Sequence, residues 1–99
     1  MLNMLIDNPT IQMIADRLCE LYEEPFGGKP SGRYRLPAKL MRKMAGRRRL
    51  YEDDVTELTR ALYERGYVLI DMESFFVVTS ANTFVNYRRA NDERVETLN

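Results

Sequence analysis

Nine basic side chains, Lys29, Arg33, Arg35, Lys39, Arg42, Lys43, Arg47, Arg48 and Arg49, fall within 21 residues that hold no acidic one. The 28 residues before them carry one basic and five acidic side chains, and the 50 after them carry five and ten. A chain of zero formal net charge is therefore split into a basic middle between acidic flanks. Like charges this dense repel one another and add nothing to folding unless an anion lies nearby. The chemistry they suit is contact with phosphate. Arginine and lysine meet the duplex backbone and position a protein on it without reading base sequence. Arg33 and Arg35 alternate with Tyr34, so on a strand both point to one side. Lys39, Arg42 and Lys43 stand at i, i+3 and i+4, on one face of a helix.

Two other origins of the basic stretch remain open at this point. It can be a solvated face neutralised within the chain, by Glu52, Asp53 and Asp54 or by the acidic side of the first helix. Each such surface pair contributes only about 0–1 kcal/mol. It can also meet an acidic protein partner, another copy of this chain included, because the flanks are acidic and the middle is basic.

The composition removes most other chemistry. There is no histidine, the commonest general base and metal ligand, and Cys19 is the only cysteine. Structural zinc within one chain and an intrachain disulfide both fall away. Gly27-Gly28 precede Lys29-Pro30 without the strand–loop–helix surroundings of a phosphate loop. Catalysis by carboxylates alone needs a cleft that 99 residues rarely build, so neither an enzyme nor a cofactor is expected. No run approaches the roughly 18–20 apolar residues of a membrane span. The opening residues lack the basic n-region and apolar core of a secretory signal. A reducing cytoplasm fits a single unpaired cysteine, and no membrane association is expected.

The elements that must position the basic residues are legible from spacing. Asn8-Pro9 reads as an N-cap followed by proline at the first helical position, with Ile11, Ile14, Ala15, Leu18 and Tyr22 on one face. Pro25 and Gly27-Gly28 end that helix. Residues 33–36 alternate like a short strand, and Pro37 opens a helix over 38–45 with Leu40, Met41 and Met44 as its stripe, closed by Gly46. A third helix is expected over 51–65 with Tyr51, Val55, Leu58 and Leu62 inward. The Asp54/Glu57 spacing allows its regular part to begin only at Val55. Gly66 closes it, and strands 67–70 and 75–79 form a hairpin. Ser80 or Asn82 caps a last helix carrying Phe84, Val85 and Tyr87, and the tail 91–99 is polar.

This order, together with Tyr34-Arg35-Leu36-Pro37 before the second helix and the run from Val55 through Leu62, Gly66, Tyr67 and Val68, resembles the winged helix-turn-helix superfamily. The resemblance implies an α+β, mainly helical single domain: three helices and a two-stranded wing over 8–79, then a C-terminal helix and tail. It also implies a DNA-binding regulator or accessory factor that touches double-stranded DNA through Arg33, Arg35, Lys39, Arg42, Lys43, Arg47, Arg48 and Arg49. The alternative is a winged-helix module that binds an acidic protein partner without touching DNA. Two features depart from the pattern. The segment 47–54 is long for the turn between the second and third helices, and Glu52, Asp53 and Asp54 at the start of the third helix repel phosphate. A helix after the wing has little left to cover in its own domain, so Phe84, Val85 and Tyr87 are the expected homodimer contact.

Overall fold

The computed structural model describes residues 4–96. Their order is α1 (Asn8–Glu23), β1 (Tyr34–Pro37), α2 (Ala38–Ala45), α3 (Glu52–Glu64), β2 (Tyr67–Asp71), β3 (Phe75–Ser80), one 3-10 turn (Ala81–Phe84) and α4 (Asp92–Glu96). The chain is α+β, with helical residues outnumbering strand residues. Among the described residues no helix is long and apolar enough to cross a membrane.

Helix α1 begins one residue earlier than the Asn8 cap predicts. Asp7 is the N-cap, and its carboxylate accepts the Thr10 amide at 2.9 Å. An Asp side chain before proline satisfies a donor that the first turn otherwise leaves without a partner. Hydrogen bonding from Thr10, with a smaller share from the charge of Arg47, holds the Asp7 carboxyl below its usual range. Helix α2 matches its predicted span. Gly46 ends it at φ 67°, a left-handed conformation that favours glycine, and the Arg47 amide closes onto the Arg42 carbonyl at 2.9 Å.

The sheet has three strands, not the two of the expected wing. Strand β3 lies in the middle and pairs antiparallel with both neighbours, in the order β1-β3-β2. Val78 sits opposite Tyr34 on one side and Leu69 on the other. Local alternation reveals β1 as a strand but not its partner 40 residues away, so only tertiary pairing reveals the third strand. Leu36, Leu69, Phe76 and Val78 face inward against Ile14 and Leu18 of α1, Met41 of α2, and Leu58 and Leu62 of α3. One apolar layer of helices thereby covers one face of the sheet.

Two polar contacts hold the helices to this core. Asp54 is 2% exposed, and its two carboxylate oxygens accept the Ile6 amide at 2.8 Å and the Tyr51 amide at 3.1 Å. Asp54 is therefore the third helical residue, not a cap, and α3 starts at Glu52 rather than Val55. The long turn predicted between α2 and α3 is correspondingly shorter. Arg65, at the other end of α3, donates to Asp16 at 2.9 Å, to Gln12 at 2.7 Å and to the Ala61 carbonyl at 2.8 Å, which ties α3 to α1.

The expected C-terminal helix is absent where it was placed. Ser80 does act as a cap, but for a single 3-10 turn, and α4 covers only Asp92–Glu96. A helical turn costs more to nucleate than one hydrogen bond returns, and residues 84–96 of this segment are exposed.

Replacing Asp54 by alanine removes the acceptor of the Tyr51 amide at the start of α3 and leaves the Ile6 amide buried without one, so stability should fall by about 2–3 kcal/mol. Asp54→Asn retains one acceptor oxygen and should cost roughly half as much. Urea unfolding followed by circular dichroism measures both, and an alanine variant indistinguishable from wild type would show that the carboxylate is not a structural tie. Arg65→Met keeps the stem and deletes three hydrogen bonds. Because the side chain is about a quarter exposed, the expected loss in the same titration is about 1–2 kcal/mol.

Candidate functional site

The basic side chains come from β1 and the loop before it, from α2, and from the turn 46–51. On β1 the Tyr34 ring is turned inward, its hydroxyl donating to the Leu18 carbonyl at 2.5 Å, and burial pushes that phenol well above its usual range. Alternation then sends Arg33 and Arg35 outward together, as predicted, and both are exposed. They line a hollow of about 250 Å³ with Lys29 and Glu24. Lys29 is brought there by a tight turn. Phe26 and Lys29 exchange backbone hydrogen bonds of 3.0 and 3.1 Å across Gly27 and Gly28, which take φ of 60° and 81°. Those positive values at both central residues are what glycine permits and a side chain resists. Glu24, the acid in that hollow, is already engaged by Arg17 at 2.6 Å.

Helix α2 buries Met41 and Ala45 and exposes Lys39 and Lys43 on its far side. Arg42 is half-buried and turns toward the β2–β3 tip, so the three cations do not form one flat patch. With Arg48 and Arg49 it lines a second hollow, of about 230 Å³, opposite Asp71 and Glu73. Glu73 holds φ 68°, a left-handed backbone that costs a non-glycine residue of order 1 kcal/mol or more. Arg47 donates weakly to the Leu5 carbonyl at 3.4 Å, and the Arg49 guanidinium stands 5.4 Å from the centre of the Tyr51 ring.

Ion pairing divides the arginines into two populations. Arg17 pairs with Glu20 and Glu24, Arg60 with Glu57, and Arg65 with Asp16. Among the described residues, none of the nine cations of segment 29–49 has a carboxylate oxygen within 4.0 Å. Of the acids offered as internal neutralisers, Asp54 is occupied by two backbone amides. Glu52 and Asp53 are exposed at the start of α3.

Phe84, Val85 and Tyr87, expected on a helix, lie on the 3-10 turn and the irregular chain after it. They are 36%, 70% and 65% exposed, and the Phe84 and Tyr87 rings meet edge to face at 5.2 Å. Burial raises the Cys19 thiol above its usual range.

A site that spacing alone did not reveal lies on the outer side of α3. Leu50, Val55, Thr56, Thr59, Tyr63 and Val68 line a groove of about 800 Å³ between the helix and β2. The Thr56 and Thr59 hydroxyls donate to the Glu52 and Val55 carbonyls at 3.0 and 2.7 Å, so their methyls are what the groove presents. Positions 56, 59 and 63 do share a helical face, but the neighbouring acids make that face look like a plain solvated one. Comparison with family models, with curated proteins and with solved structures finds no match.

Proposed function

We propose that this chain is a small winged-helix protein that binds a nucleic-acid duplex, as a transcriptional regulator or nucleic-acid accessory factor, mainly through its phosphates. The observation that carries the reading is that, among the described residues, none of the nine cations in segment 29–49 has a carboxylate oxygen within 4.0 Å, whereas Arg17, Arg60 and Arg65 each have one. Cations crowded on one stretch with no carboxylate in salt-bridge contact cost the fold repulsion that an external anion offsets. Helix, strand, two helices and a hairpin in that order, on a three-stranded antiparallel sheet, support the winged-helix part of the reading.

The contact proposed is with the backbone more than with bases. Exposed Glu52 and Asp53 stand at the first turn of α3, the part that base reading requires closest to the duplex, and they repel phosphate there. Arg33, Arg35, Lys39, Arg42, Lys43, Arg47, Arg48 and Arg49 instead approach from β1, α2 and the following turn. A second reading, an acidic protein partner in place of DNA, is favoured by the same exposed acids of α3.

With five to seven phosphates contacted, the slope of log K against log salt for a duplex should be about −4 to −6. Replacing Arg47, Arg48 and Arg49 together by alanine should flatten it by up to about 3 and weaken unrelated sequences about equally. Fluorescence anisotropy across a salt series measures both. Absence of salt-sensitive binding to any duplex at low ionic strength would hand the surface to the acidic-partner reading.

A further inference from the structure

The order β1-β3-β2 leaves two outer edges, and they are not alike. Strand β1 is four residues long, carries Arg35 and ends in Pro37, features that blunt an edge against pairing. Strand β2 is Tyr67-Val68-Leu69-Ile70-Asp71, without proline, glycine or a basic side chain, and its register with β3 runs without a bulge. The Ala81 amide donates to the Gly66 carbonyl at 3.0 Å and the Met72 amide to the Phe75 carbonyl at 2.9 Å. Hydrogen-bonded pairs recur at every second residue of an antiparallel ladder. Val68 and Ile70 therefore bond β3, while the amides and carbonyls of Tyr67, Leu69 and Asp71 point outward. Among the described residues no protein group bonds those outward amides and carbonyls. Leu69 is 5% exposed, so its own pair has little water to turn to.

Space for a partner strand lies beside them. Tyr67 and Leu69 pack into the core on the side that α3 covers, so alternation turns Val68 to the opposite side. Val68 and the outer side of α3 nevertheless line one groove of about 800 Å³, which therefore runs off the open edge of β2. We infer that this edge pairs with β2 of a second copy of the chain, antiparallel about a two-fold axis at Leu69. Tyr67 then faces the partner's Asp71, and Leu69 faces the partner's Leu69. Every outward group is used, with two hydrogen bonds in each facing pair. On the other side of the strands Val68 meets the partner's Ile70, a β-branched pair that the two-fold repeats.

Charge selects this partner and this direction. The charged residues lining the groove are Glu52, Asp71 and Arg60, and Arg60 also pairs with Glu57 at 3.1 Å. Only Arg65 and Gly66 join α3 to β2, so the helix runs back along the strand. Glu52 thus lies toward the Asp71 end, and Arg60, one turn before Tyr63, toward the Tyr67 end. The two-fold turns the acidic end of each groove to the Arg60 end of the other. It also sets the two Asp71 residues about four positions apart along the strands, roughly 13 Å and beyond the screening length at physiological salt. Parallel pairing would put them side by side, and a foreign strand of one charge would meet both signs. The inference does not rest on nucleic-acid binding.

Sedimentation velocity of the full chain without nucleic acid, with amide hydrogen exchange by NMR over the same concentration series, tests it. Wild type should pass from monomer to dimer. As it does so, exchange at the Tyr67, Leu69 and Asp71 amides should slow at least about tenfold, because each gains an acceptor. Val68→Lys with Ile70→Lys sets like charges opposite each other at both outer pairs and should weaken the dimer at least about tenfold. Val68→Lys with Ile70→Glu deletes the same apolar groups but sets opposite charges there, and should dimerise at least about threefold more tightly than the first variant. Far-UV circular dichroism checks that both variants fold, and if they do not, exchange in the wild type decides. A wild type monomeric at every concentration overturns the inference. So does a dimer in which those three amides exchange as in the monomer. A folded first variant that dimerises as well as wild type, or a folded second variant no tighter than the first, also overturns it.

Discussion

The position of the basic surface depends on one buried carboxylate. Asp54 draws together an amide from the N-terminal segment, an amide from the turn after α2, and the first turn of α3 on which it sits itself. Helix N-termini carry a partial positive charge, so a carboxylate at the third helical position gains from the dipole while it fills otherwise empty donors. The burial of Ile6 follows from the same contact, because the amide that Asp54 accepts belongs to a residue of the core. Without that tie the turn 46–51 would keep only its α2 end, closed by Gly46 and the Arg47 amide, and the packing of Leu50, so Arg47, Arg48 and Arg49 would be held less firmly. A charge buried for structure thus holds three charges exposed.

The contrast between Arg65 and these three makes the same point from the other side. Arg65 spends its guanidinium on Asp16, Gln12 and its own helix, and the result is the joining of α1 to α3. A planar group with five donors suits such a junction better than lysine does. The cations of segment 29–49 have comparable donors and close no ion pair within 4.0 Å among the described residues, although Arg47 donates weakly to the Leu5 carbonyl and Arg49 stands over the Tyr51 ring. Their α2 and β1 positions present opposite sides to different surroundings. Apolar Met41, Ala45, Tyr34 and Leu36 face the core, while lysine and arginine face out. Folding energy comes from the first set, and the second is left available for contact.

How much of this was legible in the chain depended on sequence distance. The bounds of helix α2 were readable to the residue because proline and a left-handed glycine are local signals, but its inward stripe was not: Leu40, expected inside, is 45% exposed, and Ala45 is buried with Met41. The hairpin was readable because Gly66 and the β-branched run after it are local too. The pairing of β1 with β3 was not, since alternation specifies a strand but not its neighbour. Asp54 was misread for the same reason. Its nearest sequence cue, Glu57, suggested a cap, whereas its decisive partner, Ile6, lies 48 residues away. The last helix failed differently. Spacing placed Phe84, Val85 and Tyr87 on a plausible face, but a face stabilises a helix only when it is covered, and all three side chains are exposed.

The acids that border the arginines also restrict how any anion reaches them. Asp71 and Glu73 face Arg42, Arg48 and Arg49 across a hollow of about 230 Å³ without closing an ion pair. A free phosphate ion entering there gains from three guanidiniums and loses to two carboxylates. An extended polyanion is in a different position, because it also draws on Lys39 and Lys43 of α2 and on Arg33 and Arg35 of β1, where the one acid, Glu24, is held by Arg17. Attraction summed along a chain of charges grows with the number of cations met, while the repelling acids sit at the hairpin tip and at the first turn of α3. If the basic surface does meet an anion, as proposed above, these acids weigh more against a small ion held in the tip hollow than against a long one that also reaches α2 and β1.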